Sequence, residues 1–300
     1  MRDVAPPLRQ AIEAFARNRT HGAAWLAREA AVLMARAARE SGARKPRELL
    51  STLREVAQAL VAAQPRMAAV GNAVGAVLLA AKEASVDDVG PARRAALAQA
   101  RRITVGWDQT ARRIARHAQT VVPSGPILTH SHSDTVMAVL ERLARTGAPI
   151  VVTESNPLGD GRTAAGLLAA RGLPVQLIAD AQAGLFVSQM AAVLVGADTV
   201  FADGSVVNKV GTLALALLAR RARVPFFVAT ERLKVAPGRW VETGETLPLD
   251  PSPDEPPAVY FDVTPPRLIT ALITEEGVFG PRRLAPLARR ARRWQRALSP

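Results

Sequence analysis

The stretch "PILTHSHSDTVMAVLERLARTGAPIVVTE", Pro126 to Glu154, decides how the second half of this chain is built. A short apolar run ends in polar residues, a segment of helical periodicity follows, and "PIVVTE" is a second apolar run. Continuous apolar runs joined by a helix describe parallel strands covered on both faces. Ser133-Asp134 has the chemistry of a helix cap, so strand gives way to helix directly after the two histidines. The texture repeats downstream in "GRTAAGLLAARG", "LPVQLIA", "AQAGLFVSQM", "AAVLVGA", "GTLALALLARRA" and "VPFFVAT". The expected fold is α/β, with a Rossmann-like parallel-sheet domain over residues 121–300.

Ligands of such sheets bind beyond the carboxyl ends of the strands. The polar residues closing each run therefore form one set: His130-Ser131, Glu154-Ser155-Asn156, Asp180, Gly196-Ala197-Asp198 and Thr230-Glu231. Upstream the chain reads differently. "AAWLAREAAVLMARAARE", "PRELLSTLREVAQALVAAQ" and "PARRAALAQARRITVGWDQTARRIARHA" carry helical periodicity, and Pro46, Pro65 and Pro91 fall where helices would start or stop. Residues 1–120 are expected to form an all-helical domain.

Composition removes several classes of function. The 300 residues are 49% apolar, enough for a substantial core, and contain no cysteine. Disulfides, thiolate metal sites and a cysteine nucleophile are thereby excluded. No apolar run reaches membrane-spanning length, and Arg2-Asp3 is followed by Pro6-Pro7 rather than a signal-peptide core, so a soluble, cytoplasmic protein is expected. The formal net charge is +13, yet only four of the 39 basic residues are lysines (Lys45, Lys82, Lys209, Lys234). Arginine in an alanine-rich chain fits compositional bias at least as well as a binding stripe. In "RRLAPLARRARRWQRALSP" the apolar residues Leu284, Leu287, Ala291, Trp294 and Leu298 form one helical stripe between arginines. That reads as a solvated or docking helix, and nucleic acid is not expected as a partner.

Several residues could carry chemistry. In an extended segment His130, His132 and Asp134 would share a face, but the cap at Ser133-Asp134 ends the alternation and this half holds no third histidine. No metal and no cofactor are expected. The strand-to-helix turn at Ser131 instead offers backbone amides to an anion. In "NPLGDGRTAAG", Gly159 and Gly161 allow close backbone approach, and Arg162 supplies a bidentate fork at a helix start. Lys209 of "DGSVVNKVGT" either neutralises a phosphate or pairs with a buried carboxylate. Asp198 ends a wholly apolar run, where desolvation would favour its neutral form; it is the acid–base candidate, with a capping or ion-paired aspartate as the alternative.

"THSHSDTVMAVLE", "TESNPLGDGRTAAGLLAARGLPVQLIAD", "VLVGADTVFADGSVVNKVGTLALALLARRARVPFFVATERLKV" and "FDVTPPRLITALITEEGV" together resemble the family of translation initiation factor 2B alpha, beta and delta subunits. That family also contains ribose-1,5-bisphosphate isomerase and methylthioribose-1-phosphate isomerase. Weaker similarity continues into "HGAAWLAREA" and "QPRMAAVGNAV". The resemblance implies a homodimer or higher homo-oligomer and a pocket for a phosphorylated pentose or a nucleoside monophosphate. It puts Asp198 and the Ser131 position in catalysis and Asn208-Lys209 in the pocket; with the strand-end set and the glycine-rich turn, the expected ligand contacts are Gly22, His130, Glu154, Asn156, Arg162, Asp180, Asn208 and Lys209. Ser131 stands where the isomerases carry a cysteine. His21-Gly22 and Gln64-Pro65 stand where they carry Arg-Gly and Arg-Pro, with Arg66 adjacent. Two functions follow: an aldose–ketose isomerase of weak or altered activity, or a non-catalytic sensor of sugar phosphates or nucleotides in a translation-factor assembly. A serine hydroxyl is a poor nucleophile without a base, for which His130 and His132 are the neighbours. Ser131 is expected to donate to a ligand oxygen.

Overall fold

The computed structural model describes residues 5–18, 22–65, 67–85, 87–144, 147–239 and 259–299; His21 and Arg66 lie outside them. The chain forms two compact units. One combines Met1–Thr110 with Glu231–Pro237 and Pro286–Pro300, and the other combines Ala111–Thr230 with Gly238–Ala285. No helix among the described residues is long and apolar enough to cross a membrane.

The first unit is helical. Helices α1 (Pro6–Arg17), α2 (Ala23–Glu40), α3 (Pro46–Ala63), α4 (Ala68–Glu83) and α5 (Val89–Val105) follow one another, and α6 (Trp107–Gln119) leads out of the unit. Pro46 opens α3, where its missing N–H is no loss, and Glu48 reaches back to the amides of Arg44 and Lys45. Asp88 caps α5 through the amide of Gly90. Helix α4, apolar on nearly every side, is the buried centre: Ala69 to Leu78 are all removed from solvent.

Two late segments complete this unit. Helix α11 (Ala285–Leu298) buries Leu287, Ala291 and Trp294 and leaves Arg289, Arg290 and Arg296 exposed. Its backbone lies on α4 at Gly75, where a Cβ would come within 2.4 Å of the Trp294 carbonyl oxygen. Asn72, fully buried on α4, donates to the carbonyls of Leu233 and Val235 at 2.7 and 2.8 Å, which fixes Glu231–Pro237 on the same helix.

The second unit is built on a seven-stranded sheet. In chain order it contains β1 (Ile127–His130), α7 (Asp134–Leu143), β2 (Ile150–Thr153), α8 (Asp160–Ala170), β3 (Val175–Ile178), α9 (Ala183–Phe186) and β4 (Ala192–Val195). There follow β5 (Thr199–Val200), β6 (Val206–Lys209), α10 (Thr212–Ala222), β7 (Phe226–Ala229), β8 (Phe261–Thr264), β9 (Ala271–Thr274) and β10 (Gly277–Phe279). The strand order is β10-β9-β7-β4-β1-β2-β3; all neighbours are parallel except the β9–β10 pair. Every residue of β1, β2, β4 and β7 is buried, as covered parallel strands require. Ile114 and Ala118 of α6 pack into this core beside Val139, Ile150 and Leu194. The α/β class and the Rossmann-like sheet hold. A feature absent from the sequence reading is a second, antiparallel sheet of order β5-β6-β8.

Candidate functional site

Strands β1, β2 and β3 run outward in one direction, while β4 lies on the other side of β1. The chain reverses its winding between β1 and β4, and in sheets of this kind the crevice opens at that point. Ser131 follows β1 and Asp198 follows β4, so the two candidate catalytic residues flank the reversal. Asp198 is half-buried, and its amide donates to the Val207 carbonyl at 2.9 Å, tying the end of β4 to β6 and to Asn208-Lys209. Gly196 permits this crowding, since a Cβ there would come within 2.9 Å of the Ser133 hydroxyl at the start of α7.

The ends of β1, β2 and β3 are laced together. Ser131 and Ser155 both hold left-handed backbone, with φ of 67° and 63°, a conformation uncommon outside glycine. The Ser131 amide donates to Ser155 Oγ at 2.7 Å. The Asp180 carboxylate accepts the amides of Ser155 and Asn156, each at 2.8 Å. Asp180 thus shapes the turn after β2 from the neighbouring strand. Helix α8 reaches the same turn at Gly161, where a Cβ would lie 1.7 Å from the Thr153 carbonyl oxygen; only glycine fits.

His130 is buried, and protein groups engage both ring nitrogens. Nε2 lies 2.8 Å from the Val210 carbonyl and Nδ1 lies 2.6 Å from the Thr153 hydroxyl. A carbonyl can only accept, so Nε2 carries the proton and Nδ1 accepts. Burial pushes the His130 pKa below its ordinary value and favours the neutral ring. In this structure neither His130 nitrogen is left facing a ligand: the ring ties β1 to β2 and to the loop before α10. Gly211 follows this contact, with φ of 104°, and a Cβ there would meet the imidazole at 2.9 Å. His130 is not a base for Ser131 either. The Ser131 hydroxyl points to Asp160 Oδ2 at 3.4 Å, and His132 Nε2 lies 3.7 Å from Asp134 Oδ1. Ser133 caps α7. Among the described residues no three His, Asp or Glu side chains converge as metal ligands.

Both candidate phosphate cations are paired in the structure. Arg162 contacts Glu154, whose other oxygen accepts from the Asn156 side chain at 3.1 Å. Lys209 Nζ lies 2.8 Å from Asp160 Oδ2 and 5.6 Å from the centre of the Phe261 ring. Of the two roles open to Lys209, pairing with a carboxylate is realised, and the partner is Asp160. Asn208 donates to Thr212 Oγ1 at 3.0 Å, and that hydroxyl donates to the Lys209 carbonyl at 2.6 Å, so α10 holds the pair from below.

Opposite Asn208 on β8, Asp262 Oδ2 accepts the amides of Gly211 and Leu213 at 2.7 and 3.0 Å. Desolvation raises its pKa from 3.8 to about 6 despite those two donors. Gly22 belongs to the helical unit, as the N-cap of α2. Within the sheet unit, Ser131, Glu154, Asn156, Asp180 and Asp198 follow the ends of parallel strands, Arg162 lies in the first turn of α8, and Asn208 and Lys209 lie on β6 of the second sheet. Sequence reasoning assigned no role to Asp160 or Asp262, and placed Ser155 only in the strand-end set. A carboxylate in the first turn of a glycine-led helix was the visible signal for Asp160.

A sheet wound in two directions, with polar strand ends at the reversal, defines a doubly wound α/β fold. Residues 19–281 match the Initiation factor 2 subunit family, and the chain belongs to it. Ribose 1,5-bisphosphate isomerase of Haloterrigena turkmenica is 31% identical over 96% of this chain and 94% of its own. Methylthioribose-1-phosphate isomerase of Pelotomaculum thermopropionicum is 33% identical over 90% of this chain and 82% of its own. The crystal structure of translation initiation factor eIF-2B from Pyrococcus horikoshii OT3 superposes with a TM-score of 0.75, at 28% identity, over 93% of this chain and 98% of its own.

Proposed function

We propose that this protein binds a phosphorylated pentose at the β1/β4 reversal and isomerises it between aldose and ketose, slowly. The flanking of that reversal by Ser131 and Asp198 carries the reading. Kinship with two phosphopentose isomerases supports it. For a pentose phosphorylated on O1, the change breaks the bond from C1 to the ring oxygen, moves the C2 hydrogen to C1 as a proton, and turns the C2 hydroxyl into a ketone as its proton passes to the former ring oxygen. Asp198 is the group we assign to that shuttle. Ser131 donates its hydroxyl to a ligand oxygen, and Lys209 with Arg162 receives the phosphoryl group. Serine in place of a thiol is the reason turnover is slow, because a hydroxyl is much the weaker acid.

A ligand that binds only the folded state raises the melting temperature by mass action. Melting is measured with ribose 1,5-bisphosphate, methylthioribose 1-phosphate, other pentose phosphates and nucleoside monophosphates. The stabilising sugars are then followed for aldose-to-ketose conversion. A shift with a pentose phosphate and slow conversion are expected. Stabilisation by nucleotides alone, or by none of the set, refutes the reading.

A further inference from the structure

The two cation–carboxylate pairs of the site are not equivalent. The Arg162 side chain is 63% exposed, so water can compensate its charge, whereas the Lys209 side chain is 9% exposed and pairs with Asp160 at 2.8 Å. The same oxygen, Asp160 Oδ2, is the acceptor toward which the Ser131 hydroxyl points. Asp160 sits in the first turn of α8 and is itself 31% exposed, with solvent on one side. A single carboxylate oxygen therefore meets a buried ammonium and a hydroxyl at the start of a helix, the surroundings an anionic phosphoryl oxygen needs.

We propose that Asp160 is a built-in surrogate anion: it pairs with Lys209 and orients Ser131, and a ligand phosphoryl group enters by displacing it. The inference rests on the phosphopentose reading above and adds the device that sets the affinity of that site. A buried charge that loses its partner is strongly destabilised, so the ammonium takes up whichever anion is offered. The Asp160 carboxylate is that anion until a competitor with more charge and more acceptor oxygens arrives. Phosphate meets this requirement and a neutral sugar does not. Asp160 thus weakens binding of phosphorylated sugars and inorganic phosphate alike and leaves a free sugar unaffected.

The test titrates the full chain with ribose 5-phosphate, inorganic phosphate and ribose, in wild type, Asp160→Asn, Asp160→Ser, Lys209→Gln and the Asp160→Asn/Lys209→Gln pair. Either Asp160 variant is expected to bind both phosphate probes at least about tenfold more tightly, a change equivalent to 1.4 kcal/mol. Ribose affinity is expected to stay unchanged, and the gain to vanish in the Lys209→Gln background, as a direct coupling requires. A purely structural Asp160 would instead lower affinity in both backgrounds. Unchanged or weaker phosphate binding by folded Asp160 variants, with wild type still binding ribose 5-phosphate, overturns the surrogate and leaves the phosphopentose site standing. Loss of folding in both Asp160 variants also overturns it, since a carboxylate needed for folding is not displaceable. No phosphate binding in wild type or any variant removes both.

Discussion

The amide of Ser131 donates to the hydroxyl of Ser155 at 2.7 Å, and both residues hold left-handed backbone. Each non-glycine residue in that conformation carries about 1–2 kcal/mol of strain, so the surrounding contacts must hold it. Ser155 is fully buried, and its hydroxyl also donates to the Thr153 carbonyl at 3.1 Å. Ser155→Ala leaves the partly buried Ser131 amide and the Thr153 carbonyl without this partner and is expected to destabilise the fold by about 1 kcal/mol or more in urea unfolding. Ligand affinity should fall with it, because the turn presenting Ser131 loosens. Unchanged stability and affinity would mean that the lacing is incidental.

Asp198→Asn keeps size and shape and removes the ionisable group. Turnover should fall by roughly 100-fold or more, the scale of general acid–base catalysis, while KM changes little. Failure to fold would identify a structural carboxylate instead.

Ser131→Cys places a thiol, a stronger acid and nucleophile than a hydroxyl, beside Asp160 and ahead of the α7 cap. Sulfur is only slightly larger than oxygen, so the fold should tolerate it. A gain in isomerase rate is expected, with wild type slow and Ser131→Ala still able to bind ligand. Fast wild-type turnover that is abolished in Ser131→Ala would make the serine a working catalytic group.

Two buried groups give opposing pH dependence. The Asp262 pKa is raised to about 6 from 3.8, so below pH 6 the native state takes up a proton that the unfolded chain does not. This contribution to stability therefore grows as pH falls from 6 towards 4. His130 is depressed below 6.5, so there the unfolded chain takes the proton first and stability is lost as pH falls. Asp262→Asn keeps an acceptor for the Gly211 and Leu213 amides and removes only the first effect. Unfolding free energies at pH 7 and pH 4.5 should show wild type gaining on the variant by about 1–2 kcal/mol at the lower pH, the shift discounted for partial exposure. Parallel pH profiles would show that Asp262 titrates normally.

The strands of the parallel sheet were legible because each is a short apolar run closed by polar residues, and four of them prove buried throughout. The strand-end rule gathered Ser131, Glu154, Asp180 and Asp198 for the same reason. What each side chain does was not legible. A linear reading makes His130 and Asp180 ligand contacts; it does not show the protein partners they have 23 to 80 residues away, at Thr153, Val210 and Ser155. The second sheet escaped because β5 has only two residues and β6 pairs with a strand far along the chain. Sequence texture changes near residue 120 and carries no sign that Glu231–Pro237 and α11 return to the helical unit.

That return bears on how the protein is made. With Gly75 of α4 lying directly against the backbone of Trp294, the amino-terminal helices leave the ribosome with an apolar face uncovered. They wait for nearly all of the remaining chain before it is covered. Domains of nascent chains generally fold in the order they emerge; here the helical unit needs a segment made after the strands of the sheet unit.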